Sequence, residues 1–311
     1  MLAIVCPGQG SQTPGFLTPW LDLPGLREKA SAWSDATGAD LVLHGTASDA
    51  ETIRDTAVAQ PLIVGAGLLA LDALYAGQPG TLATTAGVLA GHSVGEITAA
   101  VAAGVMDPEE GLTLVGVRGR AMAAASALTP TGMSAVLGGD PQEVLEALAA
   151  HGLTPANING AGQVVAAGTM EQLAALAEAP PSKARVIALQ VAGAFHTGHM
   201  APAFDALRAQ AATITPHDPS VTLLSNADGE PVTSGAAVVT RLVSQVGNPV
   251  RWDLCMETMT RLGVTGLLEL APAGTLVGLA KRAMKGVELV ALKTPDDLGA
   301  ARDLVARHAT P

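Results

Sequence analysis

Ser93 stands in Gly91-His-Ser93-Val-Gly95, a G-x-S-x-G pattern. A short apolar run, Ala86-Gly-Val-Leu-Ala90, precedes it, and an alanine-rich helical stretch ending near Gly104 follows. A nucleophilic serine needs that order. The glycines permit a sharp strand-to-helix turn that lifts the hydroxyl into the open, and the helix N-terminus aims free N–H groups at an oxyanion formed there. The serine also needs a base. His92 adjoins it, but at a sharp elbow its side chain should point away. His196, in Gly193-Ala-Phe-His-Thr197, lies at the exit of a predicted strand, where α/β sheets place their chemistry. His199 follows three residues on, yet no carboxylate accompanies it at ligand spacing, so no metal is expected.

A hydrolase triad would place an acid between serine and histidine. Acids in that stretch, such as Asp140, are committed to helix caps, which favours a Ser93–His196 dyad oriented by something other than an aspartate. Arg118, within Val115-Gly-Val-Arg118-Gly-Arg-Ala-Met122, has small or apolar neighbours. Helical arginines ordinarily snorkel to solvent, and Arg120 is the one expected to do so here. A guanidinium kept in a pocket suits a substrate carrying its own carboxylate, a pair contributing about 1.5–3 kcal/mol. Gly8-Gln9-Gly10 fails as a dinucleotide loop, because Thr13 stands where G-x-G-x-x-G needs glycine. That loop can instead present the Gln9 backbone N–H to a reacting carbonyl.

These residues must be positioned by a larger frame. Ala3 to Cys6 reads as a buried strand, Gln60 to Tyr75 as an interior helix, and Ala86 to Ala90 as a second strand. Asp107-Pro108-Glu109-Glu110 opens a helix with an N-cap, a proline at N1 and two acids at the positive dipole end. Between 131 and 191 the pattern changes. Met133 to Leu137 is strand-like, Asp140-Pro141 caps a helix to about Ala150, and Asn157 to Ala167 gives two strands broken at Gly160-Ala-Gly162. Thr169 caps another helix, and Arg185 to Val191 closes as a strand. The order β-α-β-β-α-β is ferredoxin-like. The expected fold is α/β: a large α/β-hydrolase-like domain with a mainly parallel sheet, formed by 1–130 and 192–311, interrupted by a ferredoxin-like insert at 131–191.

Composition narrows the partners. A net charge of −11 argues against nucleic acid, whose phosphates want a basic surface. Cys6 and Cys255 sit in no metal or C-x-x-C spacing, which fits a reduced, cytoplasmic setting. The first residues lack the basic region of a signal peptide, and glycine, proline or charge interrupts each apolar run. No membrane association is expected.

Taken together, Pro7-Gly-Gln-Gly-Ser-Gln12, Gly91-His-Ser-Val-Gly-Glu96, the Arg118 helix, Ala194-Phe-His196, Asn248-Pro-Val-Arg-Trp252 and the closing Ala271-Pro-Ala-Gly-Thr-Leu276 resemble one family, the malonyl-CoA:acyl carrier protein transacylases. The resemblance implies a ping-pong reaction. Ser93 takes the malonyl group from coenzyme A with His196 as base, and the phosphopantetheine thiol of the carrier protein then removes it. It further implies an oxyanion hole from the backbone N–H groups of Gln9 and Val94, and Arg118 on the malonyl carboxylate. His196 would be oriented by the backbone carbonyl of Gln245. Gln60, Met122, Phe195, Asn157 and Asn159 would line or shape the pocket, the two asparagines chiefly through structural hydrogen bonds. Val94 and Phe195 accompany malonyl over methylmalonyl selection in related domains. The expected partners are malonyl-CoA and an acidic acyl carrier protein, with Lys183, Arg185 and Arg208 as candidate docking cations. No cofactor is implied beyond the coenzyme A thioester, and a monomer is expected. Rival readings are a patatin-like hydrolase, the malonyltransferase of a malonate decarboxylase, and a silent docking domain. The hydrolase needs a Ser–Asp pair, but Asp228-Gly229 continues into Glu230.

Overall fold

The computed structural model describes residues 1–78, 81–191 and 193–309. In chain order its strands are β1 (Leu2–Cys6), β2 (Val88–Gly91), β3 (Thr131–Gly138), β4 (Thr154–Gly160), β5 (Gln163–Thr169), β6 (Ala184–Ala188), β7 (Thr222–Leu223), β8 (Val250–Arg251), β9 (Gly266–Glu269) and β10 (Glu288–Ala291).

Strands β1 and β2 of the first sheet are apolar throughout and fully buried, as parallel strands covered by helices must be. Their order is β10-β9-β1-β2-β7, and every pairing is parallel. Register places the chemistry. Cys6 lies opposite Gly91, so the loop after β1, carrying Gln9, and the turn after β2, carrying Ser93, leave the sheet side by side at its carboxyl edge. At the same edge Glu269 accepts N–H groups of Gly274, Leu276 and Val277, capping the Thr275–Ala283 helix.

The Thr56–Tyr75 helix runs unbroken through Pro61, Gly65 and Gly67, although the sequence reading treats such residues as interruptions. By length and composition it could cross a membrane, but most of its apolar residues are buried within the protein. It packs against the Pro108–Ser126 helix, which starts at a reciprocal capping box between Asp107 and Glu110.

The second sheet has the order β6-β3-β5-β4-β8. Its first four strands pair antiparallel in the ferredoxin-like order, and the Pro141–Ala150 and Met170–Glu178 helices pack against one face. The architecture is therefore α/β with a larger parallel-sheet region and a smaller second one. Two details differ from the sequence reading. β8, from the Asn248-Pro-Val-Arg-Trp252 segment, adds a fifth strand parallel to β4 and ties the two regions together. β6 stops at Ala188; the Leu189 N–H makes a last bond to the Met133 carbonyl of β3, and Leu189 and Val191 line a cleft. His196 thus lies in a loop beyond that strand and not at its exit. The expected return of the large domain at 192 falls on a residue outside those described.

Candidate active site

Close packing dictates the elbow around Ser93. A Cβ on Gly91 would come within 2.0 Å of the Gly95 carbonyl carbon, and one on Gly95 within 2.2 Å of the Cys6 oxygen. Nothing larger fits between the turn and β1. Ser93 itself has φ 54°, a left-handed conformation rare for a residue with a side chain. Ser93 Oγ and His196 Nε2 are 2.7 Å apart, and His196 Nδ1 lies 2.8 Å from the main-chain oxygen of Gln245. A carbonyl only accepts, so Nδ1 carries the proton. Nε2 is then free to accept from the serine hydroxyl.

His196 is 3% exposed. Burial, then the nearby Arg118 cation, push its imidazole down to about 3, so the ring is neutral at ordinary pH. His92 is turned away as expected. Its Nε2 meets Asn159 Oδ1 at 2.9 Å, and its ring meets Trp252 edge-to-face at 5.7 Å.

Arg118 is 1% exposed. Its Nη1 donates to Gln60 Oε1 at 2.7 Å and its Nη2 to Gln245 Oε1 at 2.8 Å. These use two of the five N–H donors that a guanidinium carries. Burial lowers its pKa to about 10, against the support of Glu96, and it stays charged. Arg120 is exposed, as expected, with Nη1 on the Thr37 carbonyl.

Ser93, His196, Gln9, Val94, Gln60, Met122, Phe195 and Asn157 line one cleft. Arg118, Gln245 and Asn159 are joined to its lining by hydrogen bonds to Gln60, His196 and His92 respectively. Among the described residues, the backbone N–H groups of Gln9 and Val94 make no hydrogen bond. The Gln9 side chain is drawn off to the Arg54 carbonyl. Asn157 Oδ1 is buried without a partner, at odds with a purely structural role.

Two residues that carry the site were assigned no role from sequence. Asn226 Oδ1 accepts the Ser93 N–H at 2.8 Å, and its Nδ2 donates to the Gly91 carbonyl at 2.7 Å. Glu96, on the first turn after the elbow, accepts the Asn226 N–H at 2.6 Å and a hydrogen from Gln245 Nε2. A polar Ser225-Asn226 pair closing the apolar run Val221-Thr-Leu-Leu224 was the available signal for Asn226. Glu96 was visible as an acid inside an alanine-rich helix.

The chain matches the acyl transferase domain family over residues 3–298, which sets its class as an acyltransferase. A malonyl CoA-acyl carrier protein transacylase of Mycobacterium bovis is 55% identical over 298 residues, 96% of this chain and 98% of that protein. The crystal structure of MCAT from Mycobacterium tuberculosis superposes with a TM-score of 0.91 at 53% identity, covering 97% of this chain and 99% of the other. A malonyl-transacylase solved in complex with its type II PKS acyl-carrier protein gives a TM-score of 0.88 at 30% identity, covering 97% and 99%. The chain belongs to the malonyl CoA-acyl carrier protein transacylases.

Proposed function

We propose that the chain moves malonyl groups from malonyl-CoA to the phosphopantetheine thiol of an acyl carrier protein, through an ester on Ser93. Support for this reading comes from the 2.7 Å contact between Ser93 Oγ and a histidine whose other nitrogen is committed to a carbonyl.

In the first half-reaction Ser93 Oγ attacks the thioester carbonyl while its proton passes to His196 Nε2. The Gln9 and Val94 N–H groups receive the oxyanion, and removing one such donor typically costs about 10²–10³ in rate. The carbon–sulfur bond breaks, and the coenzyme A thiolate leaves with the proton from His196. In the second half the carrier thiol gives its proton to His196 and attacks the ester, and Ser93 Oγ recovers that proton. Arg118 holds the malonyl carboxylate, with Gln60 and Gln245 orienting it. Binding that carboxylate offsets the cation that depresses His196, so the base strengthens once the right substrate is seated.

The dyad and clamp lie in the discontinuous part, 1–130 and 192–311, with 131–191 as the insert that roofs the cleft through Met133, Asn157 and Val165. The reaction needs no metal or organic cofactor. On this reading the enzyme works in the cytoplasm as a monomer, away from membranes and nucleic acid, serving fatty acid or polyketide synthesis. Arg185 shares the open face of β6 with Ile187, and with exposed Lys183 it is the better candidate for docking an acidic carrier. Arg208 is engaged with Asp205 and Phe204. A hydrolase pair is disfavoured by Asp228, which is bound to Arg241 at 2.7 Å.

Intact-mass measurement after incubation with malonyl-CoA alone tests the reading. A malonyl-sized increase that disappears in Ser93→Ala is expected. No adduct on the folded protein, or one that survives Ser93→Ala, refutes it.

A further inference from the structure

Glu96 is 6% exposed, on the first turn of the Gly95–Ala102 helix. Donors meet both of its oxygens, the Asn226 N–H at Oε1 and Gln245 Nε2 at Oε2. Burial pushes the carboxyl up to about 7, while these two donors and the Arg118 cation favour its ionised form. The Gln245 amide is fixed in one sense by what surrounds it. Its nitrogen faces three acceptors: Glu96 Oε2, the Ser93 carbonyl at 3.0 Å and Asn226 Oδ1 at 3.3 Å. Its oxygen faces one donor, Arg118 Nη2, at 2.8 Å. Flipping the amide would set N–H against guanidinium N–H and oxygen against an ionised carboxylate, in a site too dry to screen either clash. Glu96 therefore opposes the flip at the nitrogen end as Arg118 does at the oxygen end. Its charge also supports the buried Arg118 cation, one amide away.

We propose that Glu96 is a positioning residue for acyl selectivity: acting through the side-chain amide of Gln245, it sets the Arg118 guanidinium to receive the substrate's carboxylate. This deepens the reading given above and rests on Arg118 binding that carboxylate. A neutral amide at position 96 presents a donor to either Asn226 N–H or Gln245 Nε2. The cheapest relief is rotation of Gln245, which turns a donor onto Arg118 and displaces it.

Loading of Ser93 from malonyl-CoA and from acetyl-CoA, each timed by quenched intact-mass measurement, tests this in wild type, Glu96→Gln, Gln245→Met and Arg118→Ala. Gln245→Met keeps the main-chain oxygen on His196 and removes only the amide, so it carries the test if Glu96→Gln does not fold. The ratio of malonyl to acetyl loading rates is expected to fall at least tenfold in Glu96→Gln and Gln245→Met, toward that of Arg118→Ala. A scaffold role alone would slow both substrates together and leave the ratio unmoved. That outcome, with the ratio reduced in Arg118→Ala, overturns the role of Glu96. A ratio unmoved in Arg118→Ala as well overturns the carboxylate reading beneath it.

Discussion

Ser93 Oγ and His196 Nε2 meet at 2.7 Å although both residues hold positive φ, 54° and 62°. Such conformations cost about 1–3 kcal/mol each and persist only where the surroundings enforce them. Here one stretch of chain enforces both. Asn226 and Gln245 hold the two sides of Ser93, and the Val246 carbonyl takes the His196 N–H at 3.0 Å.

Asn226→Ala should therefore damage the elbow from below. It orphans the Ser93 N–H and the Gly91 carbonyl. With two buried groups unpaired, urea unfolding should show a loss of about 2–4 kcal/mol. Malonyl loading should slow more than tenfold. Wild-type stability with wild-type loading would contradict this account of the turn.

Gly95→Ala tests the close approach to β1. The new methyl would press on the Cys6 carbonyl, which is fixed in the sheet and cannot yield as a flexible side chain would. Overpacking of this kind costs about 1–3 kcal/mol or more. A thermal midpoint within a degree of wild type would show that the elbow can shift at little cost.

The pH dependence has a definite sign. The His196 value in the folded chain, about 3, lies below the ordinary 6.5, so the imidazole stays neutral well into acid. The acid limb of kcat/KM should therefore fall far below pH 6.5. The unfolded chain binds this proton more readily, so His196 removes stability as pH drops from 6.5 toward 3 and has no such effect above. Arg118→Met withdraws the second-largest cause, and the limb for acetyl-CoA loading should move up. A wild-type limb centred between pH 6 and 7 would contradict the burial argument. An unmoved limb in the variant would contradict the coupling to Arg118.

Asn157 lines the cleft, and its Oδ1 is a buried acceptor without a donor. A substrate amide N–H can supply one. Asn157→Leu should raise KM for malonyl-CoA by roughly five- to a hundredfold, the equivalent of about 1–3 kcal/mol for a lost buried hydrogen bond. Equal losses in kcat and KM-independent unfolding of the cleft would instead mark it as a packing residue.

What could be read without the structure was what neighbouring residues determine among themselves. The capping boxes at Asp107 and Thr169 close between residues three apart, so their sequence spacing is their geometry. The same holds for the elbow, where Gly91 and Gly95 flank Ser93, and for the ferredoxin-like order of β3 to β6, whose elements follow one another along the chain. The insert's last strand was read too long, because the apolar residues Leu189 and Val191 look alike whether they face a sheet neighbour or a substrate cleft.

The tertiary structure alone decided the rest. Ser93 and His196 are 103 positions apart, Glu96 and Gln245 149, and Gly91 and Asn226 135. Nothing in the local pattern says that a glutamine will turn its carbonyl to a histidine and its amide to an arginine. Nor does it say that Arg118, ordinarily a surface residue, will be sealed in by Gln60 and Gln245. A buried charge persists only if distant partners arrive in the right orientation. That depends on how the helices and the carboxyl edge of the sheet pack, which no short window of sequence contains.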